Sequence, residues 1–303
     1  MKGDSVTQPL SQGLWGVLAT PFDDSLNVDL DSLRNEVASF AADGCGGLVA
    51  LGVFGEAASM DSDEAITVAI TVASSTDLPY VLGLSERDPD EVVQQARRLL
   101  DAVPRPPAAL MAQIGDQDAA AAAGSFRHLH DATGIGILIQ DYPVVSGVNV
   151  SDEQVVEIVL ACPFAVGVKS ETPPTSVAVA HLASKLDVPV FGGLGGVGLL
   201  DELAAGSAGA MTGFSHPAAL AAVLRAHRDK GFVAAREVWA PWLPLANFEG
   251  QLRVGLAIRK ELLRRRGVIA SGRVRRPAMP LPDTLVPLLE QHLATVPSAF
   301  TSR

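Results

Sequence analysis

Eight short runs rich in β-forming residues recur along this chain, each followed by a stretch with helical signals. They are Trp15 to Thr20, Gly47 to Gly52, Tyr80 to Leu84, Ala108 to Ile114, Ile135 to Gln140, Ala165 to Lys169, Val188 to Gly192, and Ala208 to Gly213. Most are apolar throughout rather than alternating, which suits strands covered on both faces. Helix starts are marked between them. Asp61 stands three residues before Glu64, and Ser151 three before Gln154, both capping-box patterns; Asp88 precedes Pro89 at the head of a helical stretch to Leu100. The run Ala119 to Ala123 reads as helix. Eight β/α units of roughly 20 to 30 residues predict a (β/α)8 TIM barrel in preference to an open doubly wound sheet.

After Gly213 the pattern is wholly helical: Pro217 to Arg228, Val233 to Leu245, Leu252 to Arg266, and Thr284 to Leu293, with Pro277, Pro280 and Pro282 marking the last connection. The expected division is a barrel over 1–230 and a C-terminal helical region over 231–303 packed on it. With 303 residues, 48% of them hydrophobic, the chain has ample material for such a core. A net charge of −11 argues against general affinity for nucleic acid or acidic membranes. The basic clusters Arg264 to Arg266 and Arg273 to Arg276 read as solvated helix ends rather than a polyanion site. Cys45 and Cys162 are far apart with no metal-ligand spacing, so no disulfide, no metal and a reducing cytoplasm are expected. Neither an export signal nor a membrane span is indicated.

Lys169 closes the apolar run Phe164 to Val168, where a charge is hard to explain by packing. Lys2 lies in a polar tail, and Lys185, Lys230 and Lys260 read as solvated charges on helices. A lysine held in an apolar cavity has its ammonium form disfavoured, so the neutral amine that attacks a carbonyl becomes accessible. The competing reading is a lysine that snorkels from a strand end to solvent. In a TIM barrel the C-terminal ends of the strands form the active face, and Lys169 is at such an end.

Two further segments stand at strand ends. Gly52-Val53-Phe54-Gly55-Glu56 is either an ordinary βα turn or a nest of backbone N–H groups for a carboxylate. Gly192 to Gly198 either cradles a phosphate or lines a substrate site. His216 before Pro217 fits a capping or packing role better than a catalytic one, and Ser146 is a minor candidate for a pocket hydroxyl.

Taken in order, Thr20-Pro21-Phe22, the Gly-x-x-Gly-Glu turn at Gly52 to Glu56, Tyr142-Pro143 with Gly147, and Val166-Gly167-Val168-Lys169 resemble the dihydrodipicolinate synthase and N-acetylneuraminate lyase family. The resemblance runs over about residues 10 to 295, including the proline-rich segment Arg276 to Pro282. It implies a (β/α)8 class I aldolase without a cofactor. Lys169 would form a Schiff base with pyruvate or another 2-oxo acid, and the backbone at Val53, Phe54 and Gly55 would hold the substrate carboxylate. Gly193 and Thr212 would line the site, and Glu56 would have a structural role. It also implies a homo-oligomer, a dimer or tetramer, taking a small 2-oxo acid and an aldehyde as partners.

The departures from the family pattern bear on chemistry. Val53 and Phe54 stand where two threonines are usual, so the hydroxyl of the proton relay is absent. Anchored on Pro143, the relay tyrosine falls on Gln140, which cannot titrate; a one-residue slip would instead put Tyr142 there. Val145 stands where dihydrodipicolinate synthases carry an arginine for a second carboxylate. The expected function is therefore a Schiff-base lyase on a 2-oxo acid that is not an authentic dihydrodipicolinate synthase. The alternatives are a 2-keto-3-deoxy sugar acid dehydratase using the same lysine, and a non-catalytic binding or regulatory protein that retains the barrel.

Overall fold

The computed structural model describes residues 7–297 as eight parallel strands closed into a barrel in sequence order, with β8 returning to pair with β1. The strands are β1 (Gly13–Val17), β2 (Gly47–Ala50), β3 (Tyr80–Gly83), β4 (Ala109–Gln113), β5 (Ile137–Asp141), β6 (Ala165–Ser170), β7 (Val190–Gly192) and β8 (Gly209–Thr212). Around them run α1 (Leu30–Ala42), α2 (Ser62–Ser75), α3 (Pro89–Ala102), α4 (Ala119–Thr133), the single turn α5 (Pro143–Ser146), α6 (Asp152–Leu160), α7 (Thr175–Lys185), α8 (Leu199–Ala204) and α9 (Pro217–Lys230). A helical extension follows: α10 (Phe232–Trp239), α11 (Leu243–Glu249), α12 (Gly255–Arg265) and α13 (Val286–Leu293). No described helix is long and apolar enough to cross a membrane.

The local signals act as their chemistry requires. Asp61 and Ser151 each cap their helix in a reciprocal box with Glu64 and Gln154, and Asp88 accepts from two amides of α3 with Pro89 in the first turn. Trp15, Val17, Val49, Val81, Met111, Leu138, Val166, Phe191 and Met211 fill the barrel lumen, while a larger apolar layer lies between strands and helices. The stretch expected as one helix from Val233 to Leu245 is two, because Pro241 and Pro244 cannot continue the α10 ladder.

The expectation for Lys260 is overturned. It lies on α12, is wholly buried, and its ammonium bonds the Glu56 carboxylate and, at 3.0 Å, the carbonyl of Arg273, over the Phe22 ring. Arg266 likewise turns inward to Asp43, whereas Arg264 and Arg265 stay outside and pair with Glu261. Lys2 lies outside the described residues.

Candidate functional site

Lys169 reaches the barrel lumen through a register shift. β5 pairs Ile137 with Ala165 but Leu138 with Gly167, so one residue of β6 is bulged. Val166 already faces the lumen, and simple alternation would send Val168 inward and Lys169 out. The bulge inverts the phase: Gly167 touches lumen residues Leu138 and Phe191, Val168 joins the outer layer, and Lys169 points in. Its exposure is 6%, which removes the snorkelling reading.

The surroundings of Lys169 are not wholly apolar, contrary to the sequence expectation. Its Nζ lies 3.1 Å from Glu171 Oε2, and the same oxygen accepts a 2.6 Å bond from Gln140 Nε2. Gln140 and Lys169 are direct partners in the β5–β6 register, so glutamine occupies the position beside the lysine. Glu171 Oε1 accepts from the Leu194 N–H at 3.3 Å, tying the carboxylate to the loop after β7. Glu171 escaped the sequence reading, although a visible signal exists: it stands two residues beyond Lys169, one strand period, hence on the same face.

Tyr142 lies within reach of the Glu171 charge, as Gln140 does. It precedes the short α5, half-buried, and burial followed by the Glu171 charge pushes its phenol up to about 12. At neutral pH that phenol is a donor and not a base. Next to it, Asp141 is buried, accepts 2.6 Å from the Thr172 hydroxyl, and is raised chiefly by burial. Val145 is half-buried on α5, and its carbonyl receives a 3.0 Å bond from Arg87, a residue of the loop after β3. Ser146 oxygen closes a local turn with Val148.

Across the barrel mouth, Val53–Gly55 forms a 3-10 turn after β2. The Gly55 and Glu56 amides close the turn on Gly52 and Val53, whereas those of Val53 and Phe54 carry no bond among the described residues and are open to an anion. Thr20 Oγ1 fixes the turn by donating 2.6 Å to the Gly55 carbonyl. The Arg259 guanidinium stacks 3.8 Å from the Phe54 ring centre and reaches Glu249 through Nε at 3.3 Å. Leu51, Glu56 and Leu194 all have φ near +50° to +60° at this end of the barrel. Each such non-glycine conformation costs on the order of 1–3 kcal/mol and persists only where the surroundings over-determine it.

The turn after β7 is built against a carboxylate and not for a phosphate. A Cβ at Gly193 would collide with Glu171 Oε1. Its amides are spent internally: Leu194 on Glu171, Gly195 on the Thr212 hydroxyl at 2.8 Å, and Gly196 on the Gly193 carbonyl. His216 is buried between Phe214 and Trp242, bonded to the Ser215 hydroxyl, and burial pushes it down to about 3. It is neutral and packs.

A buried ammonium held by one carboxylate, with open amides across the mouth, is suited to imine chemistry on a carboxylate-bearing ketone. No protein-family model matches the chain. It is 29% identical over 298 residues, 94% of both chains, to L-2-keto-3-deoxyarabonate dehydratase of Azospirillum brasilense. A shorter match, 34% over 98 residues, spans 32% of this chain and 33% of 4-hydroxy-tetrahydrodipicolinate synthase of Natronomonas pharaonis. Among solved structures, a dihydrodipicolinate synthase from Rhodopseudomonas palustris superposes with a TM-score of 0.87 at 26% identity, covering 95% of this chain and 100% of that one.

Proposed function

Because this chain is a divergent member of the dihydrodipicolinate synthase and N-acetylneuraminate lyase family, we propose that it is a Schiff-base lyase in which Glu171 does the proton work of the missing relay. The observation that carries this is the single carboxylate oxygen bridging Lys169 Nζ at 3.1 Å and Gln140 Nε2 at 2.6 Å. Glu171 takes the ammonium proton, and the freed amine attacks the ketone of a 2-oxo acid. The carbinolamine hydroxyl takes that proton back and leaves as water. The iminium then draws electrons from C3. Gln140 cannot titrate, so it orients Glu171 by donating to it. The free amides of Val53 and Phe54 hold the substrate carboxylate.

One specific observation favours dehydration over aldol chemistry. An elimination needs a base at C3 and an acid for a departing C4 hydroxyl, and Glu171 serves both in turn: it removes the C3 proton and returns it to the leaving oxygen as a second water. No acceptor has to be bound, which agrees with valine at position 145, and one relative matched over 94% of both chains is an L-2-keto-3-deoxyarabonate dehydratase. The imine is tested with pyruvate and borohydride, and peptide mapping should place one reduced adduct on Lys169. An adduct elsewhere, or none across a panel of 2-oxo acids, would remove the Schiff-base reading. Turnover of 4-hydroxy-2-oxo acids by C–C cleavage without water loss would remove the dehydratase reading alone.

A further inference from the structure

One buried acid near this site has no role in the steps above. Glu202 on α8 is 1% exposed; its Oε1 accepts 2.7 Å from the Thr175 hydroxyl on α7, and its Oε2 has no partner. The carboxyl group is wedged against the end of β7. A Cβ on Gly192 would collide with Oε2, and one on Gly198 would come within 2.8 Å of Oε1. The next residue, Gly193, is bare for the matching reason, since a Cβ there would meet Glu171. Consecutive glycines thus accommodate two carboxyl groups, one on each. Lys169 pairs with Glu171, and Glu202 has no ion-pair partner among the described residues.

An unpaired carboxylate oxygen sealed from water is costly, whereas a neutral acid in the same place is far less so. From this arrangement we propose that Glu202 is a positioning residue that works as a neutral acid: it backs the Gly192–Gly193 turn that seats Glu171 while leaving Glu171 the single negative charge beside Lys169. The inference rests on the proposed roles of Lys169 and Glu171. Burial pushes Glu202 up to about 7, the Thr175 bond opposes this, and the charges of Glu171 and Asp201 add to it. The groups facing it are Thr175 from α7, Glu171 just after β6, Asp201 on its own helix, and glycine backbone from β7 and the following turn. α10, also packed on α8, forms no ion pair or hydrogen bond with it. When Glu202 ionises, a second negative charge arrives near the pair, Lys169 holds its proton more tightly, and amine attack slows.

The test compares wild type with Glu202→Gln, which keeps the shape and is permanently neutral. The rate of imine trapping with pyruvate is followed from about pH 6 to about pH 9, on either side of the group's transition. The two proteins should agree within about threefold at the acid end, and the wild-type rate should then fall about tenfold relative to the variant. Parallel profiles, or a variant equally slow at every pH, would overturn the proposal. Thermal unfolding gives a reading that needs no catalysis. A carboxyl raised in the folded state loses its stabilising contribution as pH rises, so the wild-type midpoint should drop relative to the variant through about pH 7. A constant difference would overturn the neutral-acid assignment even with imine chemistry intact, and absence of any adduct in wild type, with the relative drop present, would fault the Lys169 reading instead.

Discussion

Replacing Lys260 with methionine removes the cation from one of the most deeply buried ion pairs in the molecule and leaves its partner in place. Glu56 is 7% exposed and would keep a single bond, 2.7 Å from the Arg275 amide to Oε1. Breaking a buried pair by deleting one member typically costs about 3–5 kcal/mol, because the survivor is an uncompensated charge. The Phe22 ring loses one of its two cations and keeps Arg275, 4.2 Å from the ring centre. At about 2.1 cal/mol/K per residue, unfolding 303 residues has an entropy near 0.6 kcal/mol/K, so 3–5 kcal/mol lowers Tm by about 5–8 °C. The deficit should also depend on pH. Glu56 is already raised above its ordinary value of 4.5, mainly by burial, with Lys260 opposing. Without Lys260 the fold would hold that proton still more firmly while the unfolded chain releases it, so the variant should lose further stability as pH rises past about 4.5. Scanning calorimetry of wild type, Lys260→Met and Lys260→Met/Glu56→Gln checks the reasoning, since neutralising Glu56 removes the orphan charge and should restore most of the loss. A single variant down by less than about 1 kcal/mol, or a double variant no more stable than the single, would refute it. Because Glu56 ends the turn that presents the Val53 and Phe54 amides, KM for the 2-oxo acid should rise in the single variant as well.

Glu171→Gln keeps the size of the side chain but cannot carry a proton, so kcat should fall about 10²- to 10⁴-fold; because it also leaves Lys169 without its buried carboxylate, Tm should fall as well, and steady-state activity of the folded variant within tenfold of wild type would exclude Glu171 as the acid/base. Gly193→Ala drives a methyl group into Glu171 Oε1, so kcat should fall while bulk unfolding, followed by circular dichroism, moves little; unaltered kcat would show that the turn does not seat the carboxylate. Glu36, wholly buried with Oε2 unpaired, is pushed up to about 8 by burial. Its contribution is therefore fully present below the unfolded value of 4.5 and is lost as pH rises through about 8, so Glu36→Gln should flatten the stability profile across that window in chemical denaturation. Condensation of pyruvate with aspartate semialdehyde should be at least about 10²-fold below a kcat/KM of about 10⁴ M⁻¹s⁻¹ in a coupled assay, because position 145 offers no cation and position 140 no titrating group.

The barrel was legible because buried parallel strands are written as separate apolar runs, and all eight runs overlap observed strands. The expected first strand overshoots, ending at Thr20 where β1 ends at Val17, since Leu18, Ala19 and Thr20 are buried loop residues and apolarity does not stop with the ladder. Lys169 was legible for the opposite reason: a charge in an apolar strand has few structural explanations. Its inward direction was not, because the bulge that sets its phase arises from the pairing with β5 and has no local signature. Lys260 shows where the same logic fails. Its helix neighbours Ile258, Leu262 and Leu263 are as apolar and as buried as those of Lys169, yet Arg259, Glu261 and Arg264 to Arg266 make the segment read as a solvated face. What distinguishes it is Glu56, 204 residues earlier, and no local pattern encodes a partner at that separation. The two buried lysines therefore divide by what they face. Lys260 meets a carboxylate fixed by a second backbone bond and itself lies over an aromatic ring, which suits holding a turn in place. Lys169 meets a carboxylate shared with an amide side chain and a loop N–H, the arrangement on which the proposed proton transfer rests.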